Sequence, residues 1–345
     1  MLSQTGQWLR GEGPECDIVI SCRVRLARNL TGYPFITRAT ANDRRRIVDE
    51  IKTITSELYG AKSVYFVDLE SVEPLDRRYL LERQLVSAEL VDTDAPRGVV
   101  IDKGEKFSVM VCEEDHLRMQ SMTSGLDLQT VWKRINEVDD KLESRVQFAY
   151  HEKFGYLTAC PTNVGTGVRV SVMLHLPGLV ITKEIEKVFR SLQKVNLAVR
   201  GIYGEGTQAL GDFFQISNQI TLGHTEQSLL EQVGEIIPQI ISYERQAREY
   251  LFNERHETLL DQCNRAIGLL STAHTISTEE AMHHLSSVRL GVNMKILETP
   301  DIKTINDLLL HIQPAHLQKL ATADEMTVAQ RDSKRAEYLR KRLSC

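Results

Sequence analysis

Between residues 168 and 176, Val168, Val170, Val172, Leu174 and Leu176 alternate with Arg169, Ser171, Met173 and His175. This period of two predicts a β-strand with one buried face and puts Arg169 on the other. Further β-rich runs occur at Asp17–Ser21, Val64–Leu69, Gly98–Asp102, Phe107–Cys112 and Phe213–Thr221. Helical spacing of apolar residues predicts helices over Asp43–Leu58, Leu126–Leu142 and Lys183–Gln193. The first part of the chain therefore reads as α+β with a mostly antiparallel sheet. The pattern changes near residue 235, because 18 of the 20 glycines precede that point and only Gly268 and Gly291 follow it. Leu229, Leu230, Val233, Ile236, Ile237 and Ile240 recur at helical spacing, as do Leu259, Leu260, Ile267 and Leu270. Ser277-Thr278-Glu279-Glu280 fits a capping box ahead of Ala281–Leu290. An all-α bundle of four to six helices is the expected form of this second part.

Composition narrows the class. The 345 residues are 42% hydrophobic and 26% charged, with a net charge of −5. That length suggests roughly two domains with a substantial buried core. The acidic balance argues against a general nucleic-acid binder. No apolar run approaches the ~20 residues of a membrane span, and the first residues lack a signal-peptide pattern, so a cytoplasmic location is expected. Cysteines 16, 22, 112, 160, 263 and 345 form no Cys-x-x-Cys pair and no zinc spacing, which reads as reduced thiols.

Candidate chemistry gathers in the β-rich part. Arg23 and Arg25 are two apart in a strand-like run, so both project from one sheet face. Guanidinium forks bind phosphate oxygens bidentately, and Arg118, Arg169 and Arg200 would extend the cluster. Phosphoryl transfer depends mainly on positioning and electrostatic stabilisation, which arginines and Mg²⁺ commonly supply. Neither a Gly-x-x-x-x-Gly-Lys-[Ser/Thr] loop nor a His-Arg-Asp/Asp-Phe-Gly pair is present. Glu114 and Glu205 lie in segments that also carry arginines. Paired carboxylates could clamp a guanidinium, whose pKa exceeds ~12, and take a proton from it as it attacks phosphorus. Cys160, in Cys160-Pro161-Thr162-Asn163-Val164-Gly165-Thr166-Gly167, could add a thiolate. Read alone, the same residues would be a buried thiol beside a tight turn.

These segments closely resemble the phosphagen (guanidino) kinase family. The matching pieces are Ser21-Cys22-Arg23-Val24-Arg25-Leu26-Ala27-Arg28-Asn29, Glu113-Glu114-Asp115-His116-Leu117-Arg118, the run from Cys160 to Gly167, and Arg200-Gly201-x-x-Gly204-Glu205. The resemblance implies a phosphagen-kinase catalytic domain over residues 17–243, after a 1–16 extension and before a helical domain over 244–345. It implies ATP contacts from Ser21, Cys22, Arg23, Val24 and Arg25, from Gln84 and Arg118, from Arg169, Val170, Ser171, Val172 and Met173, and from Arg200, Gly201, Ile202, Tyr203, Gly204 and Glu205. It also implies that Glu114 and Glu205 hold and activate the acceptor guanidino group, that Cys160 contacts it, and that Mg²⁺ is held mainly through ATP with no dedicated metal ligands. Two departures touch the nucleotide site: Cys22 stands where the family usually has serine, and Gln84 where a histidine is expected.

Two features pull the resemblance toward the bacterial protein-arginine kinases. Too few residues precede the first strand for the N-terminal helical domain of small-metabolite kinases. Near the C-terminus, Arg331-Asp332-Ser333-Lys334-Arg335-Ala336 matches the Arg-Asp-x-x-Arg-Ala motif. In that subfamily the motif forms an allosteric phosphoarginine pocket, here Arg331, Asp332, Arg335 and Ala336. Arg331 and Arg335, at i and i+4, would present both guanidiniums from one helix face. The implied partners are protein substrates bearing arginine, an activator protein, a Clp-type ATPase or protease, and a second copy in a homodimer, in a stress-response role. Two rival readings are a kinase for free arginine and a phosphoarginine-binding adaptor without catalysis.

Overall fold

The structure is a computed structural model, and it describes residues 5–60, 62–201, 210–321 and 325–343. The first half runs β1 (Val19–Arg28), α1 (Ala41–Tyr59), β2 (Val64–Asp68), α2 (Pro74–Glu82), α3 (Ala88–Asp92), β3 (Gly98–Asp102), β4 (Phe107–Val111), β5 (Leu117–Ser124) and α4 (Leu128–Glu143). A small hairpin follows, β6 (Tyr150–His151) and β7 (Gly155–Tyr156), then β8 (Val168–His175), α5 (Pro177–Ile181), α6 (Ile185–Lys194), β9 (Leu197–Gly201) and β10 (Phe213–Asn218). The remainder is helical: α7 (Glu226–Glu254), α8 (His256–Thr272), α9 (Thr278–Asn293), α10 (Ile302–His311), α11 (Pro314–Ala321) and α12 (Val328–Leu343).

Eight strands form one sheet in the order β2-β3-β4-β5-β1-β8-β10-β9, and every neighbouring pair is antiparallel. The expected strand at Asp17–Ser21 is longer and carries both Arg23 and Arg25. Strands β5 and β9 escape the alternation rule. Leu117–Ser124 is almost wholly buried and carries polar residues on both faces, while Leu197–Gly201 is short and glycine-ended. The helices start where side-chain caps allow. Thr40 and Asp43 form a reciprocal capping box on α1, Thr225 and Ser228 form one on α7, and Asp127 caps α4 through the Thr130 N–H. Ser277 accepts from the Glu280 N–H at 3.1 Å, which is one half of the capping box expected on α9.

Alternation sorts the central strands into two faces. Cys22, Val24 and Leu26, Leu117 and Met119, Val168, Val170 and Val172, and Phe214 and Ile216 pack on the apolar faces of α1, α4 and α7 in the main core. The other face is graded along each strand. On β8 it reads Arg169, Ser171, Met173, His175, on β5 Arg118, Gln120, Met122, and on β10 Ser217, Gln215, Phe213. The apolar end of that face packs with Trp8, Leu9 and the C-terminal helices in a second core. A single-faced strand at residues 168–176 is therefore buried on both sides except at Arg169, because the helical bundle covers its far end.

The bundle is also fastened by hydrogen bonds. Arg289 of α9 is buried and donates to the carbonyls of Cys16 (2.7 Å) and Asp17 (2.9 Å) and to Nδ1 of His175 (2.9 Å). An arginine can only donate, so His175 carries its proton on Nε2 and passes it toward Ser286 Oγ at 2.8 Å. Burial, then Arg289 and Arg248, hold His175 well below the ordinary histidine range, so it stays neutral. Helix α7 runs unbroken across the boundary expected at 243/244, and Glu244 accepts from the Gly178 and Leu179 N–H groups at 3.0 and 2.9 Å. Trp8 and Leu9 from the expected N-terminal extension lie inside the second core.

Replacing Arg289 by alanine is expected to cost about 3 kcal/mol or more in urea unfolding, since each orphaned buried polar group costs about 1–3 kcal/mol. Arg289→Lys should recover only part, lacking the planar fork. A loss below about 1 kcal/mol for Arg289→Ala would show that the tie carries no weight.

Candidate active site

The polar end of the graded face floors an open cleft of about 830 Å³. Five expected arginines meet there: Arg23, Arg25, Arg118, Arg169 and Arg200 all line it. The register explains how. Arg25 lies directly opposite Arg169 across the β1–β8 pair, Ala27 lies opposite Arg118 across β1–β5, and Gln215 lies opposite Arg200 across β10–β9. Like charges placed opposite one another in a sheet are destabilising, so this arrangement asks for an anion between them.

The electrostatics agree. Burial, followed by repulsion from Arg118, Arg169 and Arg200, pushes Arg23 down to about 9, which still leaves it charged at neutral pH. Burial and the charges of Arg23, Arg118 and Arg169 push Arg25 well below the usual range, and only Glu113 opposes this. Arg23 is already engaged by Gln215 Oε1 at 2.5 Å, Gln84 Oε1 at 3.4 Å and Ser171 Oγ at 3.5 Å. Arg25 differs, since its Nε and Nη2 are buried with no partner among the described residues. Arg169 donates to Ser217 Oγ at 3.0 Å. A polyphosphate seated on this floor would satisfy the Arg25 donors and relieve the mutual repulsion.

One wall is the turn Glu113-Glu114-Asp115-His116, pinned at three of its four residues. Glu113 is buried and accepts hydrogen bonds from Arg118 and Ser87. Burial alone would raise its pKa, but Arg118, Ser87 and the Glu114 N–H bring it below the usual glutamate value. Burial likewise lowers Arg118, and Glu113, Glu89 and Glu114 more than restore it. Asp115 Oδ1 accepts from Asn29 Nδ2 and from the Ala159 N–H, both at 2.6 Å. His116 Nδ1 accepts from the Leu30 N–H at 2.9 Å, so its Nε2 donates to the Pro34 carbonyl at 2.9 Å. Glu114 alone faces solvent. Partial desolvation, then Asp115 and Glu113, raise its pKa, while Arg118 and the nearby Cys160 act in the opposite sense.

The thiol and carboxylate singled out in the sequence thus line the same cleft. Cys160 Sγ also lies 3.0 Å from Thr162 Oγ1. Asp115, by gripping Ala159, ties the Cys160 loop to the turn that bears Glu114. The loop itself needs glycine. A Cβ on Gly167 would sit 2.6 Å from the Ala27 carbonyl, and both Gly165 and Gly167 have positive φ.

Other expected residues fall elsewhere. Cys22, Val24, Val170 and Val172 point to the opposite face and into the main core, so their side chains do not reach the cleft; alternation along the strand forces this. Cys22, pushed up to about 12 by burial, remains a thiol whose Sγ accepts from the Asp127 N–H at 3.3 Å. Met173 is covered by the bundle, Ser21 is buried, and Ser171 binds Arg23. Gln84 lines the cleft, and Gly201 ends β9. Ile202, Tyr203, Gly204 and Glu205 lie outside the described residues. Sequence reasoning passed over Ser87, Thr162 and Gln215, which line the cleft. Thr162 stands within the Cys160–Gly167 run itself, Gln215 is placed by its register opposite Arg200, and Ser87 stands in no distinctive local pattern.

At the C-terminus, the expectation that Arg331 and Arg335 project together from one helix face is corrected. Arg335 is buried and donates to the carbonyls of Ile312 (2.9 Å) and Ile276 (2.8 Å) and to Asp332 Oδ1 (2.6 Å). Ala336 is buried too. Arg331 remains partly exposed and lines a second cleft of about 770 Å³ beside Arg78 and Glu82. Four residues along a helix amount to somewhat more than one turn, and here that offset turns Arg335 inward. A third groove, about 940 Å³, lies between α6 and α7; its walls are mainly apolar, with Lys183, Glu184, Lys187 and Arg255 among the residues that line it.

Residues 46–247 match the ATP:guanido phosphotransferase C-terminal catalytic domain, and residues 256–345 match the protein-arginine kinase McsB C-terminal domain. The chain is 43% identical over 337 residues to a protein-arginine kinase of Halothermothrix orenii, covering 98% of this chain and 96% of that one. It is 46% identical over 341 residues to a protein-arginine kinase of Symbiobacterium thermophilum, again covering 98% and 96%. Among solved structures, the duplicated taurocyamine kinase of Schistosoma mansoni with bound transition-state analogue components superimposes with a TM-score of 0.61 at 31% identity, over 71% of this chain and 35% of that one. The antiparallel sheet with its arginine floor and Glu114–Cys160 wall is thus seen in a chain that belongs to the ATP:guanido phosphotransferases, in the protein-arginine kinase family.

Proposed function

We propose that this protein transfers the γ-phosphoryl group of ATP to guanidino nitrogens of arginine residues in proteins. The observation that carries the reading is the pairing of an anion-seeking floor with an acceptor wall. Arg25 and Arg169 stand opposite each other, Arg25 has buried donors without a partner among the described residues, and the exposed Glu114 and Cys160 both line the same cleft. ATP supplies the phosphates, which Arg23, Arg25, Arg118, Arg169 and Arg200 would hold. Among the described residues no group of three or more His, Cys, Asp or Glu could by itself hold a metal ion. Mg²⁺ would travel on the nucleotide, as it commonly does. When bound it supplies charge neutralisation on the phosphates.

The remaining steps fall to the chain. Glu114 and Glu205 would align the planar guanidinium, and Cys160 would face it. Glu114 accepts a proton from one nitrogen as that nitrogen attacks the γ-phosphorus, and ADP departs with the electron pair of the broken P–O bond. The raised pKa of Glu114 brings its proton affinity closer to what a general base needs at neutral pH. The same reading extends to a cytoplasmic, stress-related role with an activator protein, a Clp-type protease and a homodimer. In that setting Arg331 and the cleft beside it would sense phosphoarginine. Its family places the acceptor in a protein rather than on free arginine.

Incubation with Mg-ATP and an arginine-containing protein, followed by mass spectrometry without acid, should find phosphoarginine. Free arginine turning over faster than the protein would overturn the reading. Arg25→Ala should weaken ATP binding by about 10- to 100-fold in calorimetry, the worth of a charge-assisted hydrogen bond. An unchanged affinity would remove Arg25 from the phosphate site. The acid limb of kcat should reflect Glu114, with activity falling as the pH drops through its raised pKa. Asp115→Asn removes a negative neighbour, lowers that pKa, and should move the limb to lower pH. A limb that stays put would assign it to another group.

A further inference from the structure

Resting on the proposed protein-arginine kinase activity, we infer that Tyr150, Phe154, Ile220 and Leu222 form a subsite for the residues flanking the acceptor arginine. The enzyme then selects arginines within apolar, extended segments of a polypeptide.

The argument starts from reach. If the guanidino group sits against Glu114 and Cys160, the long three-methylene stem of the arginine leaves its backbone at the cleft mouth. The substrate chain must lie across whatever borders the Cys160 loop. That border is built from two sides. The β6–β7 hairpin is joined to the loop through Tyr156 N–H to the Gly165 carbonyl at 2.8 Å and Gly165 N–H to the Tyr156 carbonyl at 3.3 Å. The segment after β10 is joined through Thr221 Oγ1, which donates to the carbonyls of Val164 (2.6 Å) and Thr162 (3.0 Å).

Both attachments are close enough to require glycine. A Cβ on Gly155 would lie 2.5 Å from the Gly165 carbonyl, and one on Gly165 would lie 2.8 Å from the Thr221 carbonyl. Hairpin, loop and post-β10 segment therefore form one fixed platform around the thiol.

Each border carries apolar side chains turned to solvent. Tyr150 is 60% exposed and Phe154 43% on the hairpin, and Ile220 is 43% and Leu222 49% exposed after β10. Single exposed apolar residues are ordinary on protein surfaces, but four bordering one catalytic loop are a patch with a position. Charge does not choose the substrate here, because Glu152 and Lys153 at the hairpin tip offset each other. Burial of flanking apolar side chains on this platform supplies the selection, and folded proteins keep such side chains inside.

The test uses the full-length protein and two peptides with a single arginine, one flanked by Leu, Val and Phe and the other by Ser and Gly. Wild type should phosphorylate the apolar peptide with kcat/KM about tenfold higher. The double variants Tyr150→Ser/Phe154→Ser and Ile220→Ser/Leu222→Ser should each raise KM for the apolar peptide severalfold. Their kcat, and their turnover of the polar peptide, should be unchanged. Equal wild-type turnover of the two peptides would overturn the subsite, as would an equal fall in kcat on both peptides in the variants. Absence of phosphoarginine on either peptide and on an arginine-containing protein would overturn the kinase reading itself, and the subsite with it.

Discussion

Side chains alternate across a β-sheet, and this constraint governs the rest of the molecule. Four adjacent strands, β5, β1, β8 and β10, spend one face on the main core, so every strand residue available for chemistry must come from the other face. That face cannot be uniform. A fully polar face would leave the C-terminal helices nothing to pack against, and a fully apolar one could not hold a nucleotide. Strands β5 and β8 resolve this along their length, moving from arginine through glutamine or serine to methionine or histidine, and β10 moves from Ser217 through Gln215 to Phe213. Cleft and bundle lie side by side on one surface.

The gathering of like charge on the polar end is energetically costly, and the surroundings hold it in place. Glu113 neutralises Arg118, Gln215 and Gln84 absorb donors of Arg23, and Ser217 takes Arg169. Arg25 is left with unmet donors, so the site retains part of its electrostatic demand for a ligand. The acceptor wall follows the same logic with opposite sign. Three members of the Glu113–His116 turn are tied to the scaffold, so the fourth, Glu114, is presented to solvent on a rigid mount beside Cys160.

Much of this was legible in the chain. The period-two run at β8, the spacing of Arg23 and Arg25, the paired glutamates and the glycine turn after Cys160 each encode local geometry, and their grouping carried the family resemblance. Strand β5 was not legible, because a strand buried on both faces loses its alternation. The roles of Gln215 and Ser87 were not legible either, since each acts through a partner more than 25 residues away: Arg23 lies 192 positions from Gln215, and Glu113 lies 26 from Ser87.

The sequence by itself determined the chemical inventory, the α+β and all-α halves, and the strand faces of Arg23, Arg25 and Arg169, because these follow from periodicity over a few residues. Only the tertiary structure decided which of those residues meet. It set Arg25 against Arg169, brought Arg118 and Arg200 to the same floor, and turned Arg335 onto the carbonyls of Ile276 and Ile312. The physical reason is that strand register and helix packing are fixed by burial summed over the whole fold, and no local run of residues contains that sum.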